Sequence, residues 1–238
     1  MNIGGFAYRE RDRDVARHIR ESYGYDGDLL EYFTSNSGNI VHKWHHYIGL
    51  YDRYFAAWRG RPLRFLEIGV SMGGSLQVWR KYFGETATIF GIDIDPRCAR
   101  LDGQAGQVRI GSQADPDFLK RVVDEMGGVD VVLDDGSHRM EHIRDSLAHL
   151  FPALTDGGIY MIEDLHTAYW PSHGGGLEDP ANFFNDMRQI IDDMHHWYHP
   201  GEADPASVGY GATGLHIHDS MVVIEKNQPV RPVHSRIG

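Results

Sequence analysis

Two pairs of adjacent carboxylates carry the clearest chemical signal in this chain. Asp134-Asp135 lies in the run Leu133-Asp134-Asp135-Gly136-Ser137-His138, and Glu163-Asp164 in Ile162-Glu163-Asp164-Leu165-His166. Each pair closes a short apolar run that reads as a buried strand, so both sit at strand ends. Side by side, Asp135, Glu163 and Asp164 would repel one another unless a cation or protons intervened. Hard oxygen ligands with open positions suit Mg²⁺, or Mn²⁺ or Ca²⁺, better than a soft metal. No CxxC or HExxH spacing supports zinc. His138 follows Asp135 on the loop leaving the same strand, where it could take a proton from a hydroxyl held on the metal. The metal would orient that hydroxyl and ease its ionisation. Acidic pairs also cap helices, and a lone pair would be read that way. Two pairs at neighbouring strand ends favour a metal.

A second motif, Glu67-Ile68-Gly69-Val70-Ser71-Met72-Gly73-Gly74-Ser75, follows an earlier strand and opens a helix. Glycines there let a backbone approach a ligand, and the helix start offers unpaired N–H groups. The turn is not G-x-G-x-x-G, since Ser71 takes the second glycine place. Glu67 ahead of the turn would suit the cationic amino group of a methionine moiety and repel a pyrophosphate. Asp93, ending Gly91-Ile92-Asp93, could hold ribose hydroxyls. Gln113, in Gly111-Ser112-Gln113, is placed to reach an adenine edge. With Gly69, Ser71, Ser75 and Asp134, these residues form the expected S-adenosylmethionine site. Its methyl would pass to an alkoxide-like oxygen in line, much of the rate coming from placing the two reactants together.

The elements that must position these groups follow a β-α-β-α rhythm. Strands are expected over 63–70, 86–94, 107–110, 129–133 and 158–162, with helical segments over 74–83, 96–105, 115–126 and 140–150. Residues 209–220 and 221–226 read as two closing strands, antiparallel because their connection is short. The expected fold is α/β and Rossmann-like: a mostly parallel seven-stranded sheet, an antiparallel last strand and helices on both faces. Residues 1–60 read as a helical N-terminal extension, a lid or dimer region, ahead of a methyltransferase domain over 61–238. The extension holds a charged helix over 11–23 and an aromatic helix over 41–58. The polar run Thr34 to Asn39 supplies N-cap candidates for the second. The aromatic stripe Trp44, Tyr47, Tyr51, Tyr54, Phe55 and Trp58 reads first as core. After a Gly/Pro loop over 171–182, an amphipathic helix is expected over 182–198, burying Phe183, Phe184, Met187, Ile190, Ile191, Met194 and Trp197.

Composition excludes several classes. The 238 residues carry a formal net charge of −11, which argues against bulk nucleic-acid binding and against an anionic membrane surface. No apolar run approaches the roughly 20 residues of a membrane helix, and Met1 to Arg20 lacks the core of a signal peptide. Cys98 is the single cysteine, so the cytosol is expected. Aromatic-rich N-terminal helices and the pairs His45-His46 and His195-His196 point to a homo-oligomer, a dimer by preference.

The run VLDDGSHRMEHIRDSLAHLFPALTDGGIYMIEDLHTAYWP closely resembles the catalytic half of the macrolide-sugar O-methyltransferases, a group that includes rhamnosyl and cephalosporin-hydroxylase-like methyltransferases. The likeness covers about residues 34–226 and is specific in the DDGSH and IEDLHTAYW segments. It implies a Mg²⁺-dependent sugar O-methyltransferase that uses S-adenosylmethionine on a glycoside or oligosaccharide hydroxyl. In it Asp135, Glu163 and Asp164 bind the metal, His138 is the base, Glu67 is the acid of the turn and Asp93 the ribose carboxylate. Macrolide members carry a long N-terminal auxiliary domain; here the first 60 residues would serve instead. Shorter members include the mycobacterial methylmannose-polysaccharide methyltransferases, which the present length would suit. Tyr169, Trp170 and His166 are expected at the acceptor, under a loop over 172–176 that closes on it; the plainer reading makes the aromatics core. Alternatives remain a phenol or catechol O-methyltransferase, an NAD(P)-dependent sugar oxidoreductase, and a non-catalytic S-adenosylmethionine-binding subunit. Glu67 and the lack of a convincing Tyr-x-x-x-Lys pair speak against the oxidoreductase.

Overall fold

The computed structural model describes residues 14–202 and 204–238. The start of the helix expected over 11–23 lies outside them. Contacts divide the chain into two compact units. One holds the residues up to Pro62 together with Met72–Ala87; the other holds Leu63–Ser71 and Thr88–Gly238.

The first unit is helical: α1 (Val15–Tyr23), α2 (Asp28–Thr34), α3 (His45–Phe55) and a later helix, Gly74–Phe83, which follows the first strand of the sheet. Its core is aromatic. Tyr47, Tyr51 and Phe55 are buried, and Trp79 meets Tyr51 at 5.1 Å and Phe55 at 5.8 Å between ring centroids. Tyr47, Tyr51, Tyr54 and Phe55 of the stripe are therefore core within this unit, while Trp44 and Trp58 are only partly buried. The polar run 34–39 does not cap α3, whose N-cap is Trp44. It forms a turn instead: Asn36 donates to the Asn39 carbonyl at 2.8 Å, and Asn39 N–H donates to Gln77 Oε1 at 2.8 Å.

The second unit is built on a seven-stranded sheet. Its strands are β1 (Leu63–Ile68), β2 (Ala87–Asp93), β3 (Gln107–Ile110), β4 (Val129–Asp134), β5 (Leu154–Ile162), β6 (Ala212–His218) and β7 (Met221–Lys226). The order is β3-β2-β1-β4-β5-β7-β6. β7 runs antiparallel to both β5 and β6, while β1–β4, β2–β3 and β4–β5 are parallel. Every residue of β4 is buried, as a central strand covered on both faces requires. With the helix Gly74–Phe83 taken as α4, the later helices are α5 (Pro116–Met126), α6 (Met140–Leu150), α7 (Asp186–Met194) and the one-turn α8 (Val208–Gly211). α5 starts where its sequence says it should: Asp115 caps Phe118 N–H at 3.1 Å, Pro116 takes the first turn, and Gly127 closes the helix in the left-handed region. The segment 96–101 is a 3-10 helix, not α. α7 ends at Met194, so the periodicity expected to reach residue 198 breaks and Trp197 is exposed. No helix among the described residues is long and apolar enough to cross a membrane.

Candidate active site

The chain winds outward from β1 to β3, then crosses to β4 on the other side of β1. Ligands in open α/β sheets bind at such a switch point, beyond the carboxyl ends of the strands. A cavity of about 250 Å³ lies there, lined by Gly69, Asp93, Ile94, Gln113, Ser137 and His142 among others. That is close to the lower edge of the roughly 300–1,000 Å³ common for small-molecule sites.

Gly69 sits at φ +96°, and a Cβ on it would run into the Asp135 carbonyl. Its N–H donates to the Ile92 carbonyl at 2.8 Å. The turn can therefore press against the next strand's loop only with glycine here. Asp93 is held by two backbone donors, Ser71 N–H on Oδ2 and Asp95 N–H on Oδ1, each at 2.8 Å. That fixes the carboxylate at the cavity and leaves lone pairs for a diol. Cys98 is buried with its thiol donating to the Ser71 carbonyl at 3.3 Å. Burial, aided by Asp93, pushes that thiol up to about 11, which makes it inert.

Asp134, Glu67, Ser71 and Ser75, all expected at the cofactor, are not among the residues lining this cavity. Asp134 does not line the cavity: it is 2% exposed, and its carboxylate accepts from Ser146 Oγ at 2.6 Å, Tyr160 OH at 3.1 Å and Gln113 Nε2 at 3.1 Å. Burial holds its carboxyl above the usual range despite those donors. Glu67 is fully buried within β1, opposite Leu133 in register. Ser75 belongs to the helical unit, where it lines a small apolar cavity with Phe33, Ile48, Tyr51 and Trp79. Gln113 does line the cavity, packed over Gly136 where a Cβ would strike its amide.

Beyond β4 and β5 the acidic pairs come together because Asp134 and Ile162 are register partners. Asp135, His138 and Asp164 each offer one ligand atom, and all three atoms lie within 4.8 Å of one another. His138 Nε2 is 3.7 Å from Asp135 Oδ1 and 3.7 Å from Asp164 Oδ2. Glu163 is 1% exposed and stands outside this trio. Both His138 (φ +55°) and Asp164 (φ +56°) occupy the left-handed region. Non-glycine residues reach it at a cost that the surroundings must hold. Here Thr167 Oγ1 bridges the two segments, 2.7 Å from the Asp164 carbonyl and 3.1 Å from the His138 carbonyl, and Ser137 N–H donates to Gln113 Oε1 at 2.8 Å. The two carboxylate oxygens suit one hard divalent cation, whose oxygen ligands lie about 2.1 Å away for Mg²⁺, and leave the His138 imidazole beside it.

The acceptor candidates line up past the trio. His166 Nδ1 meets Ser220 Oγ at 2.7 Å, tying the 3-10 turn Leu165–Tyr169 to the β6–β7 connection. Burial holds the His166 imidazole below the usual histidine range. Trp170 lies between His166 at 4.9 Å and His173 at 5.5 Å. Tyr169 is 46% exposed and stacks on Phe184 at 5.8 Å. The segment 172–176 folds back on this turn through Gly175 N–H to the Trp170 carbonyl and Gly176 N–H to the Ala168 carbonyl. Sequence reasoning did not find Ser137, His142, Ser146, Thr167 or Ser220. The legible signal was in α6, where His142 and Ser146 sit four apart among Ile143, Leu147 and Leu150.

Sheet order, switch-point cavity and carboxylate cluster together define a class I methyltransferase fold. Residues 66–165 match the family described as a methyltransferase domain. The chain is 36% identical over 222 residues to the 8-demethyl-8-(2-methoxy-alpha-L-rhamnosyl)-tetracenomycin-C 3'-O-methyltransferase of Streptomyces olivaceus, covering 88% of this chain and 56% of the relative. It is 35% identical over 209 residues to the mycinamicin VI 2''-O-methyltransferase of Micromonospora griseorubida, covering 83% and 51%. Among solved structures it resembles the MycE methyltransferase of the mycinamycin pathway in complex with Mg, SAH and mycinamycin VI. That likeness has a TM-score of 0.73 at 34% identity, over 84% of this chain and 53% of the other. The chain spans about half the length of the curated relatives it matches.

Proposed function

We propose that the protein is an S-adenosylmethionine-dependent O-methyltransferase acting, with Mg²⁺, on a sugar hydroxyl of a small-molecule glycoside. The observation that carries this reading is the convergence of Asp135, His138 and Asp164 beside the switch-point cavity. The relatives named above, which act on sugar hydroxyls, support the acceptor class.

In this reading Asp93 holds the ribose diol, and Gly69 lets the turn close on the cofactor. Asp135 and Asp164 supply oxygens that would hold Mg²⁺; Glu163, buried next to Asp164, is the third carboxylate the resemblance assigns. The bound ion would orient the acceptor hydroxyl and lower its pKa, and S-adenosylmethionine would supply the methyl group. His138 Nε2 takes the hydroxyl proton, held in place by the bonds that flank its loop. Trp170, His166 and the exposed Tyr169 offer the surface on which a sugar packs. The cytosol is the place of action, in keeping with a lone buried Cys98. The test is transfer of a labelled methyl from S-adenosylmethionine to rhamnosyl and other deoxyhexosyl glycosides. Transfer that EDTA abolishes and Mg²⁺ restores would support the reading. Transfer to catechols alone would favour a phenol methyltransferase.

A further inference from the structure

The cavity must distinguish adenine from water, and the residue the sequence offers for this is already engaged. Gln113 uses both ends of its amide within the protein: Oε1 accepts from Ser137 N–H at 2.8 Å and Nε2 donates to Asp134 Oδ1 at 3.1 Å, with Ser146 Oγ at 3.3 Å. Ser112 Oγ accepts from Ala114 N–H at 3.1 Å. Ser137 Oγ lies 2.9 Å from His142 Nδ1 and accepts from Arg139 N–H at 3.3 Å.

His142 enters the same cavity from the first turn of α6. It is half-buried. Its Nδ1 is fixed by Ser137, and Ser137 is fixed by Gln113, which rests on the buried Asp134. This relay leaves the ring little freedom. Its Nε2 makes no protein hydrogen bond among the described residues. A polar atom on a side chain so oriented, at the wall of a cavity whose nearby polar side chains Ser112, Gln113 and Ser137 are already engaged, is suited to one in-plane hydrogen bond with a heterocycle.

We propose that His142 is the side chain that recognises the adenine ring of the cofactor, through Nε2, with Ser137, Gln113 and Asp134 as the relay that positions it. The inference rests on the S-adenosylmethionine reading. If the Ser137 hydroxyl donates to Nδ1, Nε2–H donates to a ring nitrogen; in the other tautomer Nε2 accepts from the adenine amino group. Asp134 and Gln113 are thus positioning residues, not cofactor ligands.

The test is calorimetric titration of the full chain, with Mg²⁺ present, against S-adenosylhomocysteine and against 5'-methylthioadenosine. These share the nucleoside but not the amino-acid end. His142→Phe keeps a ring and removes the nitrogens; His142→Gln keeps a polar end of similar reach. One hydrogen bond of about 1 kcal/mol net corresponds to roughly a fivefold to tenfold change. His142→Phe is expected to weaken both ligands by that same factor, and His142→Gln to recover part of it. Unchanged affinity of His142→Phe for both ligands would overturn the assignment. So would a loss for S-adenosylhomocysteine that methylthioadenosine does not share. Failure of the unsubstituted protein to bind either ligand would overturn the methyltransferase reading itself.

Discussion

Replacing Gly69 with alanine tests the junction on which both halves of the site depend. Gly69 lies at φ +96°, and a Cβ there would fall 2.8 Å from the Asp135 carbonyl carbon, closer still to its oxygen, and 3.1 Å from Gly136 Cα. Ordinary contact begins near 3.4 Å, so the carbonyl must retreat by about 0.6 Å or more. Catalytic geometry tolerates only about 0.5 Å, and this loop carries Asp135 and His138. The left-handed backbone costs an alanine roughly 1–2 kcal/mol, and overpacking adds roughly 1–3 kcal/mol. Together that is about 2–5 kcal/mol, less than the stability of most domains of this kind. Gly157→Ala is the control, since Gly157 has φ +80° but no atom within 4 Å of its Cβ. Both variants should lose several degrees of Tm. Only Gly69→Ala should also bind S-adenosylhomocysteine more weakly and transfer methyl at least about tenfold more slowly. If the two variants retain the same rate and affinity, the close approach of Gly69 to Asp135 does not hold the site, and the reasoning fails.

His138→Ala should lower the rate of methyl transfer by about 10²–10⁴-fold while leaving S-adenosylhomocysteine affinity within a factor of two; undiminished turnover would remove His138 as the base. Asp130 accepts from Arg64 N–H at 2.8 Å, Arg64 Nη2 at 2.6 Å and Thr155 Oγ1 at 2.7 Å. Burial raises its carboxyl, but these donors outweigh burial and leave it below the usual range. A depressed carboxyl contributes stability that is fully present above its unfolded value near 4 and lost as pH falls through the folded value. Asp130→Asn should therefore cost about 1–3 kcal/mol at pH 7 and flatten the fall of Tm below pH 4. Parallel Tm profiles for the two proteins would contradict this.

Much of the fold was legible because its elements are short and strongly patterned. The strand at 107–110, the helix at 140–150 and the closing strand at 221–226 fall where the pattern put them. The insertion of β7 between β5 and β6 was not legible, because strand order is a long-range property. α3 starts without a side-chain cap, so the capping residues upstream misled; tertiary packing of its aromatic face overrode the local signal. At the site, Asp135, Glu163 and Asp164 were expected to meet with His138 beside them, and Asp135, His138 and Asp164 do lie together. β4 ends at Asp134 and β5 at Ile162, so the chain leaves the sheet within or just before each pair. Asp134 and Glu163 are buried at 2% and 1% exposure, while Asp135 and Asp164 meet in the cleft. Glu67 is likewise fully buried, between the buried Leu66 and Ile68 of β1. Gln113 has the right place, but its amide is spent on Asp134 and Ser137, and no spacing rule reveals that.

The most direct test of the account is calorimetric titration of the metal-stripped protein with S-adenosylhomocysteine and, separately, with NAD⁺. The account predicts binding of S-adenosylhomocysteine on the order of micromolar or tighter, near −8 kcal/mol, and none of NAD⁺. Binding of NAD⁺ without S-adenosylhomocysteine would contradict it and return the glycine turn to the oxidoreductases.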